Sequence, residues 1–164
     1  MQEQTFWTII EAARSAAGDD TQARIDTLQA QLSELDIPAI QGFAQRYEEM
    51  IDKADRWDLW GAAYLINGGC SDDGFRYFRD WLISEGRITF ERALSDPDSL
   101  ADLPQQDECE LESFGDVVRH LHEARGAGDL PQDPAARPVS TVGEQWEEED
   151  LPTLFPRLAE KYWT

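Results

Sequence analysis

Apolar residues recur every three or four positions along much of this chain, and this spacing limits the possible folds more than any other feature. The most regular stripe lies between residues 40 and 54 and contains Ile40, Phe43, Ala44, Tyr47, Met50, Ile51 and Ala54. Its period matches the α-helical turn, so one face of the segment is apolar. Pro38 suits the first turn of such a helix, where a missing N–H group costs nothing. The stripe therefore predicts an amphipathic helix packed on the core.

Other stripes predict further helices on both sides of this one. Residues 5–17 form the first, with Thr5 as its N-cap and an end at residues 18–20. A narrower stripe predicts a helix on the outside of the core and contains Ile25, Leu28, Leu32 and Leu35. A short helix is predicted around residues 88–94. A later stripe predicts one more helix and contains Leu111, Phe114, Val117, Val118 and Leu121. No alternating run is long enough to predict a β-strand. The predicted fold class is all-α, with a single compact multi-helix domain.

The predicted domain spans residues 1–164 and has three parts. Residues 1–125 form the helical core. Residues 126–150 are an acidic loop region that contains Gly and Pro and ends in "EQWEEED". Residues 151–164 are a C-terminal helical segment, in which Pro156 prevents one uninterrupted helix, so we expect a short turn and then a final helix.

A central helix-turn-helix hairpin is predicted in the segment "WDLWGAAYLINGGCSDDGFRYFRDWLI". Its first helix has Trp57, Trp60, Gly61, Tyr64 and Leu65 on one face. Asn67-Gly68-Gly69 ends that helix, because Gly and Asn readily adopt the left-handed conformation of a C-cap. Ser71 is the predicted N-cap of the second helix, which ends at Gly86 and carries Asp72 and Asp73 at its positive end.

Net charge restricts the classes of partner. The chain has 34 acidic and 14 basic residues and a formal net charge of −20. This field repels phosphate backbones and anionic lipids, so we expect no direct nucleic-acid binding and no membrane binding. It attracts a basic partner or metal cations, although the simplest role of the charge is to maintain solubility. The absence of a long apolar run or a signal-like N-terminus, together with only two cysteines, predicts a reduced, cytoplasmic protein.

The turn and the carboxylates of the hairpin are candidates for chemistry. A glycine-rich turn before a helix can bind an anion, but Asp72 and Asp73 oppose phosphate there, which favours a tight turn. Asp58, Asp72 and Asp73 are candidates for binding a divalent cation or for acid–base catalysis. Adjacent side chains on a helix diverge by about 100°, and Arg56, Arg76 and Arg79 lie nearby. Capping and ion pairing are therefore favoured, and we predict no metal site and no cofactor.

Two further candidates have simpler interpretations. Cys70 precedes a helix N-terminus, which lowers a thiol pKa, but neighbouring carboxylates act the other way, so a packing role is favoured over a nucleophile. Glu112, Asp116 and His120 follow a four-residue spacing suitable for metal ligands. The apolar stripe of the same helix lies on its other side, so these three are predicted to face water.

Aromatic residues make the hairpin the best candidate for a recognition surface. The aromatic residues are Trp57, Trp60, Tyr64, Phe75, Phe78 and Trp81. They are either core residues or the lining of a groove. The groove is an alternative because each Trp N–H group needs a hydrogen-bond partner. The predicted binding residues combine aromatic and polar side chains and are Trp57, Asp58, Trp60, Asn67, Asp72, Asp73 and Arg76.

Three segments carry a resemblance to a known family: "FWTIIEAAR", the hairpin segment above, and "FPRLAEKY". They resemble bacterial proteins grouped as domain of unknown function 4240, which are common in actinobacteria. The resemblance implies a helical, bacterial, cytoplasmic domain. It implies no established activity and no catalytic residues.

Three functional hypotheses follow. The first is a non-enzymatic binding or regulatory module that uses the hairpin to bind an unknown protein or small-molecule partner. The second is a metal-assisted hydrolase that uses the central carboxylates. The third is an acidic mimic that occupies the nucleic-acid site of a basic protein.

Overall fold

The computed structural model describes residues 1–106, 109–131 and 140–163, and the fold in these ranges is built from helices. The α-helices are α1 Glu3–Ala17, α2 Thr21–Ser33, α3 Ile37–Lys53, α4 Trp57–Asn67, α5 Asp72–Ser84, α6 Arg87–Ser95, α7 Glu112–Ala124, α8 Leu151–Leu154 and α9 Pro156–Tyr162, with 3₁₀ helices at Pro97–Asp102 and Glu148–Asp150. Within the described ranges there is no strand, only an isolated parallel bridge between Arg56 and Val142. The prediction of an all-α, single compact domain is confirmed.

Side-chain caps fix several helix starts. Asp36 precedes α3, and its Oδ1 accepts a hydrogen bond from Ala39 N at 2.9 Å. Ser71 is the N-cap of α5, as predicted, and its Oγ accepts from Gly74 N at 3.1 Å. The prediction for Thr5 is wrong, because α1 already begins at Glu3. An extended Gln2 precedes it without a side-chain cap, so the N-cap pattern at Thr5 is not used.

The core lies around α3, and its predicted stripe is buried. Phe43 and Tyr47 are 0% and 1% exposed. Phe43 packs on Phe6 of α1 with 5.0 Å between ring centroids, and Tyr47 packs on Phe114 of α7 at 6.4 Å. Helices α1, α5 and α7 thus cover the apolar face of α3.

Helix α2 packs against α1 and α7 and buries an arginine that the apolar stripe did not predict. Arg24 is 0% exposed. Its Nη1 donates to Glu85 Oε1 and Ser84 Oγ, each at 3.1 Å, and its Nε donates to the Gly18 carbonyl at 2.8 Å. A buried charge is tolerated when it is paired and hydrogen-bonded, so this pair joins α2 to the end of α5.

The C-terminal segment packs against α4 through a close approach at Gly61. A Cβ atom at Gly61 would lie 2.7 Å from Phe155 Cε2 and 3.0 Å from Trp146 Nε1. The predicted break at Pro156 is confirmed, since α8 ends at Leu154 and α9 begins at Pro156. In the predicted loop region 126–150, residues 132–139 lie outside the described residues.

None of the helices in the described ranges combines the length and the apolar character needed to cross a bilayer.

Candidate binding site

The turn of the hairpin is closed by its own polar groups. Gly68 ends α4 in the left-handed conformation with φ 69°, and Gly69 N donates to the Tyr64 carbonyl at 2.8 Å. Trp60 Nε1 donates to the Cys70 carbonyl at 2.9 Å. The prediction of a tight helix-to-helix turn is therefore confirmed, and the glycines serve the backbone geometry.

An aromatic stack joins the two helices of the hairpin. The rings of Trp57 and Trp60 lie 5.0 Å apart at 7°, and those of Trp60 and Phe75 lie 5.0 Å apart at 11°. The guanidinium of Arg79 continues the stack 4.6 Å from the Phe75 centroid. Trp57 and Trp60 are half-buried, whereas Phe75 is buried, as are Phe78 and Trp81 of the same helix. Only the α4 end of the stack is thus accessible to a partner.

A cavity of about 550 Å³ lies where the start of α4, residues 142–146 and α8 meet. Its apolar lining includes Val142, Trp146, Leu154 and Phe155. Val142 is 65% exposed and Leu154 is 52% exposed, so two of the four large apolar side chains that are exposed in the described ranges line it. Exposed apolar side chains gathered at a concave surface are typical of binding sites.

Hydrogen bonds between residues 141–146 and residues 55–57 hold the wall of the cavity in place. Val142 N donates to the Asp55 carbonyl at 3.1 Å, and Trp57 N donates to the Val142 carbonyl at 2.9 Å. Thr141 Oγ1 donates to Asp55 Oδ1 at 2.8 Å, and Trp146 Nε1 donates to the Trp57 carbonyl at 2.6 Å. The segment from Thr141 to Trp146 is thereby fastened along the junction of α3 and α4, so the cavity wall is preformed.

The rim of the cavity is acidic. Asp58, Glu144 and Asp150 line it, and among its described lining residues Arg56 is the only basic one. Arg56 is already paired, because its Nε and Nη2 donate to the Asp58 carboxylate at 3.1 and 3.0 Å. Residues 144–150 carry five carboxylates and no basic side chain. We refer to Asp58, Glu144 and Asp150 as the acidic rim.

A second polar cluster, not predicted from the sequence, lies between α3 and α5. Asp80 is 2% exposed, and its Oδ1 accepts from the Tyr47 hydroxyl at 2.6 Å. Arg76 Nε lies 3.8 Å from Asp80 Oδ2, and Arg76 also pairs with Glu48 at 2.8 Å. Burial raises the pKa of Asp80 to about 7, although Tyr47 and Arg76 act to lower it.

Helix α7 leaves room for the Asp80 carboxylate. A Cβ atom at Gly115 would collide with Asp80 Oδ1. The only sequence signal for this site is an aspartate next to the apolar run Trp81–Leu82–Ile83.

The predicted binding residues fall into separate places. Trp57, Asp58 and Trp60 lie together at the start of α4, and Asp58 lines the cavity. Asn67 lies at the other end of α4, where its Oδ1 accepts from Cys109 N at 3.2 Å and its Nδ2 donates to the Cys109 carbonyl at 3.4 Å.

The remaining three lie on α5. Asp72 and Asp73 are exposed in its first turn, and Arg76 pairs with Glu48 of α3 and with Asp80 of its own helix. Asp58 is the only one of the seven predicted binding residues that is among the described residues lining the cavity. Sequence reasoning missed Val142, Glu144 and Leu154, which lie more than 80 positions from Asp58 along the chain.

The cysteine candidate has no support as a nucleophile. Burial is the main cause that raises the pKa of Cys70 to about 12, and Glu110 adds to it. A thiol with this pKa stays protonated at neutral pH, so packing is its role. The side chain lies partly buried against the core.

The candidates on α7 face outward, as predicted. Glu112 and His120 are exposed, and Asp116 Oδ1 accepts from Arg119 Nη2 at 2.9 Å. Asp116 and His120 also border a groove of about 300 Å³ between α2 and α7. In the ranges 1–106, 109–131 and 140–163, no three His, Cys, Asp or Glu side chains gather in a group able to hold a metal ion.

Comparison with known proteins agrees with the resemblance seen in the sequence. The model of the family described as "Protein of unknown function (DUF4240)" matches residues 1–124, which contain α1 to α7 and Asp58. The other residues of the acidic rim lie beyond the matched region. No curated protein and no solved structure matches the chain. The match covers about three quarters of the chain, and this protein therefore belongs to the DUF4240 family.

Proposed function

We propose that the protein is a non-enzymatic binding module that captures a partner protein at the cavity beside α4. The observation that carries the proposal is the pairing of exposed Val142 and Leu154 across a preformed concave surface. Burial of these side chains by a partner removes apolar area from water, which favours association. Trp57 and Trp60 flank the site with half-buried indoles, a residue type enriched at interfaces.

The separation of acid–base groups from the cavity also favours binding over catalysis. Perturbed pKa values gather at active sites. Here the carboxyl group with a pKa of about 7 is that of Asp80, which is buried and is not among the residues that line the cavity. Asp58, which lines the cavity, is held by Arg56 in a bidentate ion pair.

The other predicted residues have supporting roles in this proposal. Asp72 and Asp73 extend the accessible acidic surface on α5, and Asn67 and Arg76 hold the elements that position it. The resemblance supports a bacterial, cytoplasmic setting. The metal-assisted hydrolase has less support, because Asp58 belongs to α4 and pairs with Arg56, whereas Asp72 and Asp73 begin α5.

Site-specific cross-linking in cells tests the proposal. A photoreactive phenylalanine analogue replaces Leu154, and the same analogue replaces Ile88, an 82% exposed residue on α6, as the matched control. We expect a discrete protein adduct from position 154 and none from position 88. Equal adducts at both positions, or none at 154, would overturn the proposed site.

A further inference from the structure

We propose that the occupant of the cavity is a basic segment of a partner protein, with an apolar side chain seated on Leu154 and Val142 and with Lys or Arg side chains facing the acidic rim. This inference rests on the proposed function and adds the chemistry of the partner. The occupant matches the two properties that meet at this place in the molecule, an apolar lining and an excess of negative charge.

The cavity has the shape and the exposed apolar lining to accept an apolar side chain. Leu154 and Val142 keep 52% and 65% of their surface in contact with solvent, whereas Phe155, which also lines the cavity, is 6% exposed. A cavity of about 550 Å³ accommodates a large side chain together with its flanking backbone. An inserted leucine or phenylalanine therefore covers both exposed side chains at once.

The segment that forms the cavity wall carries a concentration of negative charge. Glu144, Glu147, Glu148, Glu149 and Asp150 follow one another with no basic residue between them, and all are exposed. Complementary charge steers encounter and selects partners. The formal net charge of −20 repels a second copy of this chain, so a cationic partner is favoured over self-association at this surface.

The Arg56–Asp58 ion pair is a place where a basic side chain of the partner can take over a contact with Asp58. The Arg56 side chain is 41% exposed and that of Asp58 is 35% exposed, so the pair is accessible from the cavity that both residues line. Such surface pairs contribute little to stability. A guanidinium of the partner therefore replaces Arg56 or adds to Asp58 at little cost to the fold.

Defined peptides test the inference on the full chain. The probe is a fluorescent peptide with two leucines flanked by lysines and arginines, followed by anisotropy. One control replaces the leucines with serines, and another replaces the basic residues with glutamates. We expect the probe to bind about tenfold more tightly than the serine peptide. We expect the glutamate peptide not to bind, and the affinity to fall between about 50 and about 300 mM salt.

Matched variants locate the binding. Leu154→Ser and Glu144→Gln are expected to weaken the probe about tenfold and about threefold, through the apolar contact and the charge respectively. Ile88→Ser and Glu34→Gln, which remove an exposed apolar and an exposed acidic side chain from elements that do not line the cavity, are expected to change nothing.

The outcomes separate this inference from the proposed function. Equal losses in rim variants and controls mean diffuse attraction to net charge and overturn the inference. Cross-linking at position 154 without probe binding shows that the site stands and that the partner chemistry is wrong. Failure of both overturns the site and the chemistry together.

Discussion

Two groups of carboxylates in this protein differ in what surrounds them. Asp80 and Glu85 are 2% and 4% exposed, and each faces an arginine together with a hydroxyl or amide donor. The carboxylates of residues 144–150 are exposed and have no basic residue among them. The comparison separates two uses of acidic residues: the interior group joins helices, whereas we propose that the exposed group provides a field that a partner can neutralise.

The largest effect is expected from breaking the interior pair at Glu85. Glu85→Ala removes the buried carboxylate that pairs with Arg24 and leaves the buried guanidinium only the exposed carboxylate of Asp19 at 3.8 Å, so we expect the free energy of unfolding to fall by about 3–5 kcal/mol. Glu91→Ala breaks an exposed pair with Arg87 and is the matched control; we expect only a small loss, because solvent screens such a surface pair. Urea unfolding measures both, and similar losses would remove the distinction between interior and surface carboxylates.

Asp80 is expected to make stability depend on pH. Its folded pKa of about 7 lies above the value of about 3.9 in an unfolded chain, so its contribution is full below pH ~4 and is lost as the pH rises through ~7. Asp80→Asn still accepts from Tyr47 and has no charge to titrate. We expect the wild type to lose roughly 2–4 kcal/mol more than the variant between pH ~4 and ~8.

Urea unfolding across this pH range measures the difference. Parallel profiles for the wild type and Asp80→Asn would show that this carboxyl group does not titrate in the native protein as described.

A smaller effect is expected where the cavity wall meets α4. Gly61→Ala places a methyl group 2.7 Å from the Phe155 ring, so we expect a loss of about 1–3 kcal/mol and faster hydrogen exchange in residues 146–158. Gly42→Ala, also inside a helix, meets only Met1 at 3.1 Å or more. It is expected to be neutral or stabilising by up to about 1 kcal/mol. Unchanged exchange in Gly61→Ala would mean that the wall does not depend on this approach.

The smallest effect on stability is expected at the exposed apolar side chains. Leu154→Ser and Ile88→Ser each remove a side chain that is more than half exposed, so the free energy of unfolding is expected to change by about 0.5 kcal/mol or less. Thermal unfolding checks this expectation. A large loss in Leu154→Ser alone would assign the residue to folding and would leave its exposure without a functional meaning.

Local pattern was sufficient for the helices and for the hairpin. The stripe on α3, the cap at Ser71 and the break at Pro156 each depend on residues within a few positions of one another. Arg24 and Asp80 escaped prediction because their burial depends on Glu85 and Tyr47, residues 61 and 33 positions away. Similarly, Asp58 is the only predicted binding residue among the described residues that line the cavity, because the cavity is completed by residues 142–155, which fold back on α4.

We propose that the acidic rim serves binding, whereas the interior carboxylates serve the fold. The most direct test is the affinity of the basic, leucine-containing peptide at pH ~8 for Glu144→Gln and for Asp80→Asn, each of which removes one negative charge. We expect about threefold weaker binding by Glu144→Gln and wild-type affinity for Asp80→Asn. Equal affinities of the two variants, whether both weakened or both unchanged, would contradict this proposal.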